Sequence, residues 1–60
     1  MDSITVGSRV KLKFGTSSVS AGSTATILYI DDFDIIYIEW SDGKLASFPE
    51  HQFRHSFEKI

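Results

Sequence analysis

The fold is decided by the stretch Ile35-Ile36-Tyr37-Ile38-Glu39-Trp40-Ser41-Asp42-Gly43-Lys44, a β-branched and aromatic run that stops at an Asp-Gly pair. Branched and flat side chains fit a pleated surface, which favours a strand over the first six residues. Asp-Gly tolerates the positive φ angles that a tight hairpin needs. The stretch therefore predicts a strand at 35–40, a turn, and an antiparallel strand after it.

Other segments are also typical of strands. Residues 9–14 alternate basic and apolar side chains, which predicts a half-buried strand with Val10, Leu12 and Phe14 facing inward. The segment 15–22 is small and polar and is predicted to be a loop. Further strands are predicted at 24–30, 44–48 and 54–60.

The segment after the fourth strand is predicted to contain one short turn. Pro49 has no N–H to donate to a ladder and therefore ends that strand. Residues 50–53 are predicted as a single 3₁₀ turn, because no segment has the length or periodicity of an α-helix. Five short strands joined by turns predict an all-β fold, a five-stranded antiparallel barrel.

The size and composition of the chain limit its class. Sixty residues predict a single domain spanning residues 1–60. The absence of cysteine excludes a disulfide framework and a thiolate zinc site, and agrees with a reducing compartment. No apolar run approaches the roughly 18 residues of a membrane span. The start Met1-Asp2-Ser3-Ile4 lacks the basic and apolar regions of a secretory signal, so we expect a cytoplasmic protein without a membrane partner.

The hairpin between the second and third strands has apolar residues on both faces. If Asp32 and Phe33 form its tip, the inward-facing pairs are predicted to be Ala25 with Trp40, Ile27 with Ile38, and Tyr29 with Ile36. The other face then carries Leu28, Ile30, Ile35 and Tyr37. An isolated barrel can bury only one of these faces.

Two interpretations of the second face remain open. In the first, the hairpin bends strongly or is covered by Ile4 and Val6. In the second, the face is an exposed apolar patch that binds a protein partner or a second copy of the chain. Phe33 would then project from the tip within an acidic rim of Asp31, Asp32 and Asp34, which suits a basic partner surface. A Phe33 that folds back onto its own strand is the alternative.

A basic stripe supports a different hypothesis. Arg9, Lys11 and Lys13 alternate along one outward strand face, where they could contact phosphates, and Tyr37 could stack on a base. The same cations also suit a solvated edge strand that must not pair with other chains. The net charge of −2 lacks the basic excess usual in dedicated nucleic-acid binders.

The sequence contains little that is typical of catalysis or metal binding. His51 and His55 are four residues apart, which would align them as metal ligands only on a helix. The acidic cluster at 31–34 lacks the remaining positions of a calcium loop. No segment has the spacing of a nucleophile elbow or a phosphate cradle. We therefore expect no catalytic residues, no cofactor and no metal.

The glycine and core positions resemble those of the SH3-like small β-barrels of the KOW and Tudor type. The matching positions are Val6-Gly7-x-x-Val10, Gly22-x-x-Ala25-x-Ile27, Ile36-x-Ile38-x-Trp40-x-Asp42-Gly43, Phe48 and the turn 49–53. They span nearly the whole chain, and each marks a turn or a core position. The resemblance implies an SH3-like barrel that binds proteins, peptides, RNA or larger assemblies through loops and one sheet face. Most members of this superfamily are not enzymes, and some are small bacterial or phage accessory proteins.

These observations predict a non-catalytic binding module, a small regulatory or inhibitory protein that docks on a larger partner through its central hairpin. The predicted contact residues are Leu28, Ile30, Phe33, Ile35 and Tyr37. The alternative is a KOW-like nucleic-acid module that uses Arg9, Lys11 and Lys13.

Overall fold

The central hairpin forms at the predicted positions in a computed structural model, which describes residues 4–16 and 18–60. The elements are β1 (Arg9–Leu12), β2 (Thr24–Ile30), β3 (Ile35–Trp40), β4 (Leu45–Pro49), α1 (Glu50–Ser56) and β5 (Phe57–Lys59). The bounds predicted for β2 and β3 are confirmed, whereas β1 and β5 are shorter than predicted. Residue 17 of the predicted 15–22 loop and the N-terminal residues 1–3 lie outside the described residues.

The five strands form one antiparallel sheet in the order β4-β3-β2-β1-β5. The strands β4 and β5 are the two edges, and within residues 4–16 and 18–60 no ladder joins them. The sheet is therefore open, so the predicted closed barrel is not confirmed. The helix α1 connects the two edge strands along the chain.

The core lies on one face of this sheet. Its buried side chains are Val10, Leu12, Ala25, Ile27, Ile36, Ile38, Phe53 and Phe57. The rings of Phe53 and Phe57 stack with their centroids 4.5 Å apart. The ring of Phe57 also lies 5.7 Å from that of Trp40 on β3 and 5.4 Å from that of Phe48 on β4. Phe57 therefore connects strands from both edges of the open sheet.

The predicted 3₁₀ turn is instead a short α-helix, so the expectation that the chain has no helix was wrong. Pro49, with φ of −60°, precedes the first turn, where its missing N–H costs nothing. Glu50 accepts a hydrogen bond from Nε of Arg54 at 2.8 Å, one helical turn later. Phe53 is the buried residue of this helix. Packing of one aromatic side chain, rather than an amphipathic pattern, thus stabilises these seven residues.

The prediction that Phe14 faces inward was also wrong, because β1 ends at Leu12. The C=O of Leu12 accepts a hydrogen bond from Gly22 at 2.8 Å, which closes the loop that follows β1. The alternation of side chains stops there, and Phe14 is 62% exposed. Its ring lies 6.3 Å from that of His55 on α1.

A β-bulge changes the faces of the central hairpin. The predicted pairs Ala25 with Trp40 and Ile27 with Ile38 are confirmed, but Tyr29 lies opposite Tyr37 rather than Ile36. Leu28 is the extra residue on β2 that causes this shift. Because side chains alternate along a strand, one inserted residue exchanges the two faces beyond it.

The bulge determines which residues near the tip are covered. It brings Ile30 opposite the buried Ile36, where Ile30 packs against the core. Ile4 packs against the core as well, while Val6 remains exposed. The prediction that Ile30 shares the outer face with Tyr37 was therefore wrong.

We expect Phe53→Ala to remove most of the stability of the chain. Truncating a fully buried phenylalanine costs about 3–5 kcal/mol, and a chain of this size has about 3–9 kcal/mol in total. Urea unfolding followed by circular dichroism measures the effect. Phe33→Ala is the matched control, because Phe33 is 85% exposed and its loss should change the free energy of unfolding by less than about 0.5 kcal/mol. Equal urea midpoints for the two variants would contradict this account of the core.

Candidate functional site

The tip of the central hairpin is organised by the carboxylate of Asp31. Its Oδ1 accepts hydrogen bonds from the backbone N–H groups of Phe33 at 2.8 Å and Ile35 at 3.0 Å. Its Oδ2 accepts a hydrogen bond from the hydroxyl of Tyr37 at 3.0 Å. An aspartate that bonds the backbone two residues ahead forms an Asx-turn, which fixes the start of the turn. Asp31 is therefore a structural residue rather than part of a merely solvated acidic cluster.

These hydrogen bonds change the pKa values of both side chains. The N–H of Ile35 lowers the pKa of Asp31 below its ordinary value; desolvation opposes this shift, and the bonds from Phe33 and Tyr37 add to it. The bond to Asp31 raises the pKa of Tyr37, because ionisation removes the proton that the phenol donates; desolvation and the nearby charge of Asp31 add to this shift. At neutral pH the pair is thus a charged acceptor and a neutral donor.

The backbone of the tip is fixed at a second point. Asp34 adopts a left-handed conformation with φ of 62°, which aspartate tolerates better than most residues. The N–H of Asp34 bonds the C=O of Asp31 at 3.2 Å, and the C=O of Asp34 accepts the N–H of Glu50 at 2.9 Å. The turn is thereby connected to the first residue of α1.

Two tyrosines lie together on the outer face of the sheet. The bulge turns Tyr29 outward, where its ring centroid is 5.9 Å from that of Tyr37 at an interplanar angle of 38°. Tyr29 is 58% exposed and Tyr37 is 38% exposed. Leu28, in the bulge, is exposed beside them. Ile35 lies on the same face as Tyr37 but is half-buried, opposite Pro49.

Phe33 projects from the tip into solvent. It does not fold back onto its own strand, as its exposure shows. A shallow groove of about 400 Å³ separates it from the start of α1, and its lining residues are Phe33, Asp34, Pro49, Glu50, His51 and Arg54. We define the hairpin surface as Leu28, Tyr29, Phe33 and Tyr37, the four exposed apolar side chains of this hairpin.

The hairpin surface overlaps with the predicted contact set but differs from it. Leu28, Phe33 and Tyr37 are exposed as that prediction requires, whereas Ile30 is withdrawn to the core side. Sequence reasoning missed Tyr29, because no polar residue interrupts the run around it to mark the bulge. It also missed the role of Asp31, for which a signal existed: an aspartate immediately before a turn is typical of an Asx-turn.

The basic stripe is only partly free. The ammonium of Lys11 lies 3.2 Å from the carboxylate of Glu58 on β5. The guanidinium of Arg9 donates to the hydroxyl of Thr24 at 3.3 Å. Lys13 lies beyond the end of β1, with its ammonium 5.9 Å from the ring centroid of Phe14. The three cations therefore do not act as one continuous row along a strand.

The two histidines do lie on one helix, contrary to the expectation that no helix forms there. His51 and His55 are both in α1, one turn apart. Across the described ranges 4–16 and 18–60, no group of three or more His, Cys, Asp or Glu side chains is positioned to hold a metal ion.

A second groove, which sequence reasoning did not identify, lies where the sheet is open. It encloses about 370 Å³, and its lining is apolar or uncharged: Leu12, Phe14, Thr16, Ser18, Val19, Trp40, Ala46, Phe48, Gln52 and Ser56. The inner face of β4 forms one of its walls.

Comparisons with family models, with curated proteins and with solved structures each found no match to this chain. In the part of the chain that the structure describes, no helix has both the length and the apolar character needed to cross a membrane.

We predict that the order of the tip depends on pH in the acid range. The pKa of Asp31 is lower in the folded chain than in the unfolded one. The stabilisation of the tip by the ionised carboxylate is therefore complete above the unfolded pKa of about 3.9. It is lost as the pH falls through the folded value. NMR hydrogen exchange of the Phe33 and Ile35 amides, expressed at each pH as the ratio of the intrinsic to the observed rate, should show protection that falls in acid.

The Asp31→Ala variant controls for this effect. Without the carboxylate, the same two amides should have low protection at every pH, while the amides of the core strands keep theirs. An acid response of these amides that survives in Asp31→Ala would contradict the role assigned to the carboxylate.

Proposed function

We propose that this chain is a non-catalytic, SH3-like binding module that docks on a protein partner through its hairpin surface. The observation that carries the proposal is the outward pair of Tyr29 and Tyr37, one exposed by a bulge and the other held by Asp31. Five antiparallel strands in one sheet, with a helical turn before the last, support the SH3-like part of the proposal.

The composition of the hairpin surface suits protein recognition. Tyrosine and phenylalanine supply large contact areas at low cost in side-chain entropy and are enriched at interfaces. Three aromatic rings, those of Tyr29, Phe33 and Tyr37, are exposed on one hairpin of a chain of sixty residues. Exposed apolar patches of this kind mark interaction sites.

The rigidity of the hairpin surface also supports binding. Side chains that are fixed before association lose less conformational entropy when they bind. Three hydrogen bonds to Asp31 and the bond between Asp34 and Glu50 hold the tip in one conformation. The backbone of Phe33 is therefore held at a defined position, which supports its use as an anchor residue.

The charge near the tip indicates the chemistry of the partner. Asp32 and Asp34 are both exposed beside Phe33. An aromatic anchor with an acidic rim favours a partner that has an apolar pocket surrounded by lysine or arginine, because complementary charge accelerates association. We therefore propose a basic protein surface as the target.

The nucleic-acid alternative has less support. A binding face of three cations is small, and the ion pair between Lys11 and Glu58 would have to break before Lys11 could contact a phosphate. Fluorescence anisotropy with labelled RNA and DNA at low salt tests this alternative. If the nucleic-acid alternative is correct, the affinity for RNA or DNA should fall steeply with added salt and in the Lys11→Glu variant.

The protein-binding proposal is tested with matched substitutions of exposed aromatic residues. The chain is immobilised, and proteins captured from cells that express it are quantified by mass spectrometry. Tyr29→Ser and Phe33→Ser should each reduce capture of a specific partner by about tenfold or more, since truncating an anchor residue costs about 2 kcal/mol or more. Both variants should keep the wild-type circular dichroism spectrum, because neither side chain is in the core.

Phe14→Ser is the control for general hydrophobicity. Phe14 is as exposed as Tyr29 but lies after β1, in a groove that none of the hairpin-surface residues lines. Its loss should leave capture unchanged. A partner that is lost equally with all three substitutions, or with none of them, would show that the hairpin surface is not the binding site.

A further inference from the structure

The two edges of the open sheet differ in how well they are protected from pairing with another chain. Edge strands usually carry charges, bulges or prolines that prevent such pairing. The edge strand β5 carries Glu58 and Lys59 within its three residues. The edge strand β4 reads Leu-Ala-Ser-Phe-Pro and has no charged residue. The edge formed by β4 is therefore the less protected one, because its only such device is Pro49 at its last position.

The hydrogen-bonding pattern shows which backbone groups of β4 are free. Trp40 N–H bonds the C=O of Lys44 at 2.8 Å, and Glu50 N–H bonds the C=O of Asp34 at 2.9 Å. These bonds lie at the two ends of the β3–β4 ladder and involve even-numbered residues. Because bonded and non-bonded positions alternate in an antiparallel pair, the odd-numbered residues of β4 direct their N–H and C=O groups away from β3.

The odd-numbered positions of β4 are open to solvent. Leu45 is 71% exposed, and Ser47 and Pro49 are also exposed. Among the described residues, no backbone hydrogen bond outside the strand ladders involves Leu45 or Ser47. The outer edge of β4 is thus a row of accessible donors and acceptors beside exposed side chains.

We propose that two copies of this chain pair through β4, antiparallel, about a two-fold axis at Ser47. The residues that direct their N–H and C=O groups outward must then face one another, which requires facing residue numbers to share parity. When the axis passes through Ser47, the residue numbers of any two facing residues sum to 94. The Ser47 residues of the two copies exchange N–H···O=C bonds, and each Leu45 N–H faces a C=O of Pro49.

This register is favoured by the side chains that it brings together. Lys44 and Glu50, which flank β4, then face each other across the axis, and Lys44 would join the ion pair that Glu50 makes with Arg54. On the inner face the small Ala46 faces the large Phe48. On the outer face Leu45 faces Pro49, whose C=O accepts the N–H of Leu45; the C=O of Leu45 has no N–H opposite it and stays open to water.

The neighbouring allowed registers are poorer. A sum of 92 would place Lys44 against Phe48, which carries no opposite charge. It would also place the aliphatic Leu45 against the polar Ser47. A sum of 96 would place Ser47 against Pro49 and Leu45 against His51, which lies in α1, so no outward-directed pair within β4 could exchange both N–H···O=C bonds. The self-complementary arrangement at 94 is therefore the one that the sequence of β4 supports.

The proposed dimer does not rest on the proposed function, because it uses a sheet edge rather than the hairpin surface. Ser47 lies next to Tyr37 in the β3–β4 pair. Pairing through β4 would extend the sheet continuously into the second copy. Both hairpin surfaces would then belong to one assembly, and a partner with two sites could bind both.

Cysteine cross-linking tests the register directly, because the chain has no native cysteine. Facing residues in a bonded antiparallel pair have Cα atoms about 5.5 Å apart, which a disulfide can span. Ser47→Cys should therefore form a covalent dimer under mild oxidation. Leu45→Cys is the matched control on the same strand and face, since its two copies would be displaced by about 13 Å along the strand and should remain uncross-linked.

Analytical ultracentrifugation tests the dimer without a cross-link. The wild-type chain should sediment with twice the mass of one chain, and Ser47→Pro should sediment as a monomer because it lacks the central N–H. Lys44→Glu should weaken the dimer several-fold, and adding Glu50→Lys should restore it. If Ser47→Pro does not fold, the cysteine pair and the charge exchange still decide the question.

Three results would overturn the proposal. A wild-type chain that stays monomeric at about 1 mM, where even weak complexes form, would exclude the dimer. Equal cross-linking of Ser47→Cys and Leu45→Cys would exclude the register. A dimer that persists in folded Ser47→Pro but is lost in Tyr29→Ser would place the interface on the hairpin surface instead.

Discussion

The stacking of Phe57 on Phe53 is the interaction on which the rest of this structure depends. The sheet is open between β4 and β5, so backbone hydrogen bonds do not join its two edges. Phe57 belongs to one edge strand, and its ring contacts that of Phe48 on the other. Phe53 covers the same ring from α1. Side-chain packing therefore completes the core where the backbone leaves the sheet open. Because β4 does not pair with β5, its outer edge stays unpaired.

The hairpin surface depends on a second set of constraints, which are local. The bulge at Leu28 sends Tyr29 outward and Ile30 inward. The carboxylate of Asp31 fixes the turn and the hydroxyl of Tyr37. An apolar run that could have been wholly buried is thus divided between the core and an exposed patch. The division explains how so short a chain has both an apolar interior and an exposed aromatic patch.

The sequence predicts the central hairpin well because its signals there are strong. The bounds of β2 and β3, and the pairing of Ile27 with Ile38, follow from β-branched residues and turn chemistry. Pairing beyond Leu28 could not be predicted, since apolar residues at 27–30 remove the alternation that would reveal a bulge. The helix α1 was missed for a related reason. Seven residues with one buried side chain have no helical periodicity, and tertiary packing decides their conformation.

The candidate site was predicted only as far as these signals extend. The exposure of Leu28, Phe33 and Tyr37 follows from their positions on the hairpin, whereas that of Tyr29 depends on the bulge. The open edge of β4 was not foreseen, because a closed barrel was expected. Which strands lie at the edges depends on long-range pairing, and short-range sequence patterns do not encode it.

The bulge also has a consequence for how this protein could diverge. Deleting Leu28 would remove the bulge and restore simple alternation, with Tyr29 still opposite Tyr37 on the outside and Ile30 still opposite Ile36 on the inside. Such a deletion would take one apolar side chain from the hairpin surface and leave the core pairs unchanged. A change of length at this one position should therefore be tolerated like a substitution of an outward side chain, because both alter the exposed patch and neither alters the core.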